Sequence, residues 1–364
     1  MSGRAGGSTL GAWRTVSTGL LVFAAAVLLV GLFAAAGSER FGYDFRQSYL
    51  PAAFAVRDGD SPYPDPDSPL VEAGRAYVYP PQLALALVPL TAVSEDAAAL
   101  VAVLGCLAAL MGALAVVGVR DVRCYAALLL WAPAFNALEM ANASAVVALG
   151  AALCWRFRAT VWPLAAVLGF TVTAKLYVWP LVVWAGARRL VVAALTLGVG
   201  LVLTTAAWAT VGFGGLRSYP SLVQRLSDTH AETSYSLVGV ASALGLEPAL
   251  GRALMLAVGG GLLLACVSLG RAGDERRSFT CAIAAAVVLT PVLWQHHLVV
   301  LAVPLALARP RFSAVWLLPV LLWLSPRAEN GDGLEPLLPV LVAAALLWFM
   351  LARPRARAAV AEAT

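Results

Sequence analysis

Four ionisable side chains draw attention because each lies at the edge of an apolar stretch or inside one. Asp44 follows the first long apolar run, where a chain leaving a membrane would enter water. Lys175 is the only lysine, and it lies within an apolar stretch, as do the adjacent His296 and His297. A carboxylate, an imidazole and a cation at one membrane face suit transfer from an anionic phosphate ester to a hydroxyl. A base can take the hydroxyl proton, and the cation can stabilise the departing phosphate.

Each candidate also has a purely structural explanation. Asp44 would serve equally well as the cap of a helix at the membrane surface. Lys175 could extend its ammonium to an interface, and Glu139 and Asn142 could hydrogen-bond across helices. Adjacent histidines on a helix point about 100° apart, so we expect at most one of the pair to do chemistry.

The composition predicts an integral membrane protein. The chain has 364 residues, of which 61% are hydrophobic and only 12% are charged, and this implies many membrane spans. Most basic residues are arginines in short clusters between apolar runs, which are topology signals rather than a nucleic-acid-binding face. The five cysteines show no metal-binding or disulfide spacing, and no phosphate-binding glycine motif is present. We therefore predict no metal, no cofactor and no nucleic-acid partner.

The N-terminal third predicts an anchor followed by an outer loop. Arg4 and Arg14 precede an apolar run at 16–36, so the positive-inside rule places the N-terminus in the cytoplasm. Residues 37–79 are then an extracytoplasmic loop. Apolar residues recur there at helical spacing and predict a helix on the membrane surface, which Pro51 either kinks or splits. These apolar residues are Phe45, Tyr49, Ala53 and Val56.

The topology of residues 80–123 has two solutions. If the apolar runs 82–93 and 97–119 both cross the membrane, Arg120 and Arg123 lie outside, against the positive-inside rule. If those arginines are cytoplasmic, the short run 82–93 is re-entrant or interfacial. We prefer the second solution.

Three later stretches, 123–156, 158–188 and 277–309, each have arginines at both ends. Each must therefore enter the membrane and return. Half of such a stretch rises roughly 22 Å as a helix, which is less than the ~30 Å hydrocarbon core. The polar tips should thus lie in the outer part of the membrane, lining a cavity open to the outside. The tip residues are Glu139, Asn142, Lys175, Gln295, His296 and His297.

The rest of the chain completes an all-α polytopic membrane protein with a single integral membrane domain, 1–364. Residues 190–212 and 250–270 are predicted to cross and to enclose a second extracytoplasmic loop, 213–249. Two further spans precede a cytoplasmic tail at 353–364. The predicted total is about 12 membrane segments.

Several local motifs, in this order, resemble those of glycosyltransferase family 87. They are Asp44-Phe45-Arg46-Gln47-Ser48-Tyr49, Ser61-Pro62-Tyr63, Val78-Tyr79-Pro80-Pro81, Glu139-Met140-Ala141-Asn142, Ala174-Lys175-Leu176-Tyr177 and Thr290-Pro291-Val292-Leu293-Trp294-Gln295-His296-His297. The likeness extends over roughly residues 40–305. It implies a GT-C fold and a polyprenyl-phosphate sugar donor. The family includes α-1,2-mannosyltransferases of phosphatidylinositol mannoside and lipomannan synthesis in actinobacteria, as well as arabinofuranosyltransferases.

The resemblance also implies roles for individual residues. Asp44 matches the catalytic aspartate of the first outer loop, the histidine pair matches a candidate base, and Lys175 lies near the donor phosphate. Gln295 stands where the resemblance leads us to expect an acidic residue. The other residues expected to contact substrate are Tyr49, Tyr79, Glu139, Asn142 and Trp294.

We therefore predict an inverting glycosyltransferase of the plasma membrane with an extracytoplasmic active site. It would transfer mannose from polyprenyl-phosphate-mannose to a glycolipid hydroxyl, forming an α-1,2 linkage. The preferred general base is at the His296–His297 tip, while Asp44 orients the acceptor, assists as the base or holds the site together. An arabinofuranosyltransferase, a lipid or solute transporter and a structural membrane subunit are the alternatives.

Overall fold

The structure is a computed structural model that describes residues 5–325 and 336–352, with side chains described from residue 15 onward. Arg4, the side chain of Arg14 and the predicted cytoplasmic tail 353–364 lie outside the described residues.

The described residues form helices joined by short turns, with no β-strand among them. This confirms the all-α class for that part of the chain. The α-helices are α1 (Ala5–Ala34), α2 (Leu50–Asp58), α3 (Pro69–Glu72), α4 (Pro81–Leu87), α5 (Glu95–Val116), α6 (Val122–Leu130), α7 (Ala132–Glu139), α8 (Ser144–Arg156), α9 (Trp162–Ala174), α10 (Pro180–Arg188), α11 (Leu190–Val211), α12 (Tyr219–His230), α13 (Leu237–Ala243), α14 (Pro248–Arg271), α15 (Glu275–Val288), α16 (Ala302–Ala308) and α17 (Leu337–Leu351). A π-helical turn spans Phe45–Tyr49, and 3₁₀ segments span Val88–Ala92, Leu176–Val178, Phe213–Leu216, Gln295–Leu301 and Ala314–Leu324.

Four of the described helices are long and apolar enough to cross a membrane: the Thr15–Ala34 part of α1, and α5, α11 and α14. A fifth span results if α7 and α8, which meet at a bend of 118°, count as one. The remaining apolar helices of the described chain are shorter, at 10–17 residues, including α9 and α17. Helix length therefore does not confirm about 12 membrane segments, and the orientation of the loops remains a prediction.

The segment after α1 folds as a helix that changes its hydrogen-bond pattern at Leu50. The backbone N–H of Leu50 bonds to the carbonyl of Phe45, five residues earlier, which closes a π-helical turn. Pro51 follows in the first turn of α2, where a proline's missing N–H costs little. Pro51 thus marks a junction between two helical types. Phe45, Tyr49 and Ala53 are buried within the protein, and Val56 is half-buried. Whether this segment also lies on a membrane remains a prediction.

Charged side chains attach this segment to α5. Ser94 caps α5 by accepting a hydrogen bond from the N–H of Ala97, and Glu95 and Asp96 stand in the first turn, where the helix dipole favours carboxylates. Arg46, within the π-helical turn, bonds to Glu95 at 2.8 Å and to Asp96 at 2.5 Å. The start of a long apolar helix is therefore joined to the segment that carries Asp44.

The chain breaks where the sequence places the polar tips. Asn142 lies in the turn between α7 and α8, and Lys175 lies between α9 and the segment Leu176–Val178. The histidines lie in the first turn of the 3₁₀ segment Gln295–Leu301. Adjacent residues on a 3₁₀ helix diverge by about 120°, since it has three residues per turn.

Close packing brings these breaks together. α8 packs against α5, α9 and the segment Gln295–Leu301, while α9 also packs against α11. At Gly150 of α8 there is no room for a side chain, because a Cβ there would overlap the side chain of Thr171 on α9. This close approach fixes the spacing between α8, which follows Asn142, and α9, which precedes Lys175.

Candidate active site

Asp44, Asn142 and Lys175 form a continuous hydrogen-bonded chain. Asn142 donates through Nδ2 to Asp44 Oδ2 at 2.5 Å, and its Oδ1 accepts from Lys175 Nζ at 2.9 Å. Lys175 also donates to Ser144 Oγ at 2.8 Å, and the Ser144 backbone N–H donates to Asn142 Oδ1 at 2.9 Å. An ammonium and a backbone N–H only donate, so these partners fix which end of the Asn142 amide faces the carboxylate.

The backbone of the α7–α8 turn supports this arrangement. Ala141 has φ of 48°, a left-handed conformation uncommon for a residue with a Cβ, and the chain reverses there. The N–H of Gly42 donates to the Glu139 carbonyl at 2.7 Å, and the N–H of Phe45 donates to the Met140 carbonyl at 3.3 Å. The loop that carries Asp44 is thus attached by its backbone to the turn that carries Asn142.

The charges in this chain balance each other. Only 3% of Lys175 is exposed, and a buried ammonium is costly unless it is paired and hydrogen-bonded. Burial raises the pKa of Asp44 above its ordinary value, while the Asn142 hydrogen bond and the Lys175 charge act in the opposite direction. The site therefore joins a carboxyl group and an amino group through a neutral amide.

Aromatic rings surround the ammonium. Lys175 Nζ lies 5.4 Å from the centre of the Tyr79 ring and 5.7 Å from that of Tyr177, within the range of cation–π attraction. Tyr49 packs edge-on against Tyr79, with ring centres 5.2 Å apart. The backbone carbonyl of Tyr79 accepts a hydrogen bond from Tyr63 Oη at 2.9 Å. Tyr49 and Tyr79 thus lie beside the charged chain, although their predicted contact with substrate is untested.

The two histidines are held differently. His297 Nδ1 lies 3.1 Å from the backbone N–H of Trp294 and 3.3 Å from its carbonyl oxygen, so the Trp294 backbone offers a partner to either neutral tautomer. His296 Nδ1 lies 3.2 Å from Asn136 Oδ1, which can only accept, so His296 carries its proton on Nδ1. His296 Nε2 is buried and lacks a hydrogen-bond partner among the described residues. His296 therefore presents an unused basic nitrogen.

The histidines join the charged chain through one ring. The His296 and His297 rings are 4.6 Å apart, and the Tyr177 ring packs edge-on against His297 at 5.0 Å. Tyr177 also faces Lys175. All four ionisable residues singled out in the sequence thus lie in one connected cluster, and their catalytic roles remain proposals.

A sequence model of glycosyltransferase family 87 matches residues 77–294, which is more than half of the 364 residues. The chain belongs to glycosyltransferase family 87. No curated protein and no solved structure matches it. Family membership supports the predicted glycosyltransferase activity in a membrane. It leaves the GT-C fold, the sugar, the donor and the acceptor as proposals.

The family match covers half of the predicted site residues. Those inside the matched range are Tyr79, Glu139, Asn142, Lys175 and Trp294, and those outside are Asp44, Tyr49, Gln295, His296 and His297. The histidines lie directly after the matched range. Asp44 is connected to it through Asn142.

Three predicted residues of this family 87 protein have contacts outside the charged chain. Gln295 donates through Nε2 to the carbonyl of Leu322 at 3.0 Å, and so attaches the histidine segment to the segment Ala314–Leu324. The Trp294 ring packs edge-on against His230, with centres 5.8 Å apart. The Glu139 side chain is buried at the end of α7. A substrate role for these three residues is untested.

Sequence reasoning missed three neutral side chains of this site. Ser144 accepts a second hydrogen bond from Lys175, Tyr177 joins Lys175 to His297, and Asn136 holds His296. Ser144 and Tyr177 each lie two residues from a predicted site residue, and this proximity was the available signal. Asn136 stands inside an apolar helix, one turn before Glu139. In the part of the chain that the structure describes, no three metal-ligating residues cluster, and the prediction of no metal and no cofactor remains untested.

Proposed function

We propose that this family 87 protein transfers mannose from polyprenyl-phosphate-mannose to a glycolipid hydroxyl at the outer face of the plasma membrane. The reaction would invert the anomeric centre and form an α-1,2 linkage. The observation that carries the proposal is the chain from Asp44 through Asn142 to Lys175, which holds a carboxylate and an ammonium beside each other without direct contact. The mannosyl donor and the linkage rest on the family resemblance.

Lys175 is suited to the leaving group. Two of its three N–H bonds point to Asn142 and Ser144, so one donor remains for a phosphate oxygen. During transfer the bond between the sugar C1 and the phosphate oxygen breaks, and its electron pair remains on the phosphate. The ammonium then stabilises the transition state more than it stabilises the bound substrate, and this difference accelerates the reaction.

Asp44 is suited to take the proton. Its side chain is half-buried, whereas His296 is only 6% exposed, so an acceptor hydroxyl reaches the carboxylate more readily. Asn142 occupies Oδ2, and Oδ1 would accept the proton as the hydroxyl oxygen attacks C1 opposite the phosphate. Burial raises the pKa of Asp44 and makes it a stronger base.

This assignment differs from the sequence-based preference for the histidine tip. His297 Nδ1 is occupied by the Trp294 backbone, and His296 lies deeper than Asp44. The unused His296 Nε2 would accept a hydrogen bond from a substrate hydroxyl and orient the sugar or the acceptor.

The direct test uses the purified full-length protein in lipid nanodiscs with radiolabelled polyprenyl-phosphate-mannose and a membrane glycolipid extract. We expect a labelled glycolipid and the release of polyprenyl phosphate. If transfer occurs only from polyprenyl-phosphate-arabinofuranose, the transferred sugar is arabinofuranose and not mannose. Movement of the labelled donor across sealed vesicles without any glycosylated product would favour the transporter.

A further inference from the structure

A basic recess lies at the opposite end of α9 and α10 from the candidate active site. Leu164, in the first turn of α9, lines the recess, whereas Lys175 follows the last residue of that helix. A helix of 13 residues rises roughly 20 Å. The recess is shallow and open to its surroundings. It is therefore separate from the proposed transfer chemistry.

Three arginines line this recess: Arg158, Arg188 and Arg189. Arg158 and Arg188 both pair with Glu275, and Arg158 also stacks on the Trp155 ring at 4.3 Å. The Arg189 guanidinium donates to the backbone carbonyl of Ala159 at 3.0 Å. One carboxylate thus pairs with two of the three guanidinium groups, and the recess keeps a positive excess.

A buried donor in the same lining independently indicates a ligand. Trp184 is fully buried, yet its indole Nε1–H has no hydrogen-bond partner among the described residues. An indole N–H can only donate, and a buried one without an acceptor destabilises the protein. The Trp184 ring itself is fixed edge-on against Phe279, with centres 5.0 Å apart. An anionic oxygen bound in the recess would supply the missing acceptor.

The surroundings of the recess indicate what carries this anion. Leu164, Ala185 and Val192 form its apolar wall, and Trp162, Leu190 and Val191 are exposed on the neighbouring surface. An apolar rim beside clustered arginines is typical of sites for anionic lipid headgroups between membrane helices. The planar guanidinium group matches phosphate oxygens in a two-point geometry.

We propose that this recess binds a phosphate group, supplied by an anionic phospholipid whose acyl chains lie along the exposed apolar surface. The arginines would contact the phosphate oxygens, and Trp184 Nε1–H would donate to one of them. The site would anchor the end of α9 and α10 that faces away from Lys175.

The test measures phosphatidylglycerol binding to the delipidated full-length protein in neutral detergent, by native mass spectrometry. Phosphatidylglycerol should bind more tightly than diacylglycerol, which lacks the phosphate. Arg189→Gln should weaken binding about tenfold, since one charge-assisted hydrogen bond is lost. Trp184→Phe keeps the ring, removes only the N–H, and should weaken binding severalfold.

Arg156→Gln is the matched control, because Arg156 is exposed at the end of α8 and does not line the recess. It should bind phosphatidylglycerol like the unmodified protein. Equal loss in Arg156→Gln and Arg189→Gln, or equal binding of phosphatidylglycerol and diacylglycerol, would overturn the proposal. The Trp184→Phe protein tests the proposal even if Arg189→Gln fails to fold.

A second arm distinguishes the source of the phosphate. Inorganic phosphate is titrated into the same delipidated protein, and the unfolding temperature is recorded. Stabilisation by phosphatidylglycerol alone identifies a lipid headgroup. Stabilisation by inorganic phosphate that is lost in Arg189→Gln identifies a soluble phosphate in the same recess. No stabilisation by either probe contradicts phosphate binding.

Discussion

Asn142 decides how the two charged residues of the site can act. Its amide donates to Asp44 and accepts from Lys175, so the carboxylate and the ammonium do not form a direct salt bridge. A direct pair would occupy both groups with each other. With the amide between them, one carboxylate oxygen and one ammonium proton remain for the substrates.

Replacing Asp44 by Asn should abolish the proposed proton transfer. We expect kcat to fall roughly 10²–10⁴-fold, the usual contribution of a general base. The assay is transfer from labelled polyprenyl-phosphate-mannose. Asp60→Asn is the matched control, since Asp60 is exposed on the same segment, and it should retain full activity. Full activity in Asp44→Asn would remove Asp44 from the chemistry.

The pH profile distinguishes Asp44 from His296 as the base. The base must be deprotonated, so kcat/KM should fall as the pH is lowered through the pKa of Asp44. Burial raises that pKa above its ordinary value of 3.8. His296→Gln should lower the rate roughly 10–100-fold without removing this acidic limb, since the imidazole only orients substrate in our proposal. Loss of the acidic limb in His296→Gln would instead identify the histidine as the base.

The charged residues of the site were predictable from the sequence, whereas three of its neutral residues were not. Asp44 and Lys175 stand out because a charge beside or within an apolar run is energetically costly and needs an explanation. Ser144, Tyr177 and Asn136 produce no such signal, since hydroxyl and amide groups are common between membrane helices. Their placement depends on which helices meet, which requires the tertiary structure.

At the scale of elements, the contact between α8 and α9 positions the charged chain. Ser144 begins α8, and Lys175 directly follows α9. The glycine at position 150 lets the two helices approach closely. Helix packing in membranes commonly uses small residues in this way, because close backbone approach increases van der Waals contact.

Gly150→Ala should separate α8 from α9 and destabilise the protein. The added methyl group would overlap Thr171, and such overpacking typically costs about 1–3 kcal/mol. We expect a lower unfolding temperature in detergent together with reduced transferase activity. Gly105→Ala on α5 is the matched control, because a Cβ there meets no atom within 4 Å. An unfolding temperature equal to that of Gly105→Ala would show that the contact can relax.

Element boundaries followed from hydropathy, but helix type did not. The runs at 190–212 and 250–270 correspond closely to α11 and α14, because uninterrupted apolar runs of that length leave little choice. The π-helical turn Phe45–Tyr49 and the 3₁₀ segment Ala314–Leu324 were not predicted. Apolar spacing over so few residues does not reveal whether a backbone bond spans three, four or five residues.

At the scale of the whole molecule, the sequence predicts which side of the membrane each loop faces, and the helix geometry does not test this prediction. The five cysteines are all buried in the structure, so they should react slowly with thiol reagents. The chain thus offers a low background for topology mapping.

A cysteine introduced at Asp65 should react with a membrane-impermeant maleimide in intact cells. Asp65 is exposed in the loop predicted to be extracytoplasmic, so its replacement tests that orientation. Arg271→Cys, at the exposed end of α14, should react only after permeabilisation, because the positive-inside rule places it in the cytoplasm. The opposite pattern would invert the topology, and the unmodified protein measures the background.

The π-helical turn before α2 makes the site dependent on residue number. It contains one more residue per hydrogen-bonded ring than an α-helix. Deleting one residue within Phe45–Tyr49 would allow a continuous α-helix, a common and stable local structure. It would also rotate everything before the deletion by about 100° relative to α2. Asp44 would then point away from Asn142. The chain would still contain Asp44, but its carboxylate would no longer lie in the site. Alignments of related chains should therefore count residues between Asp44 and Pro51 as strictly as they compare residue types.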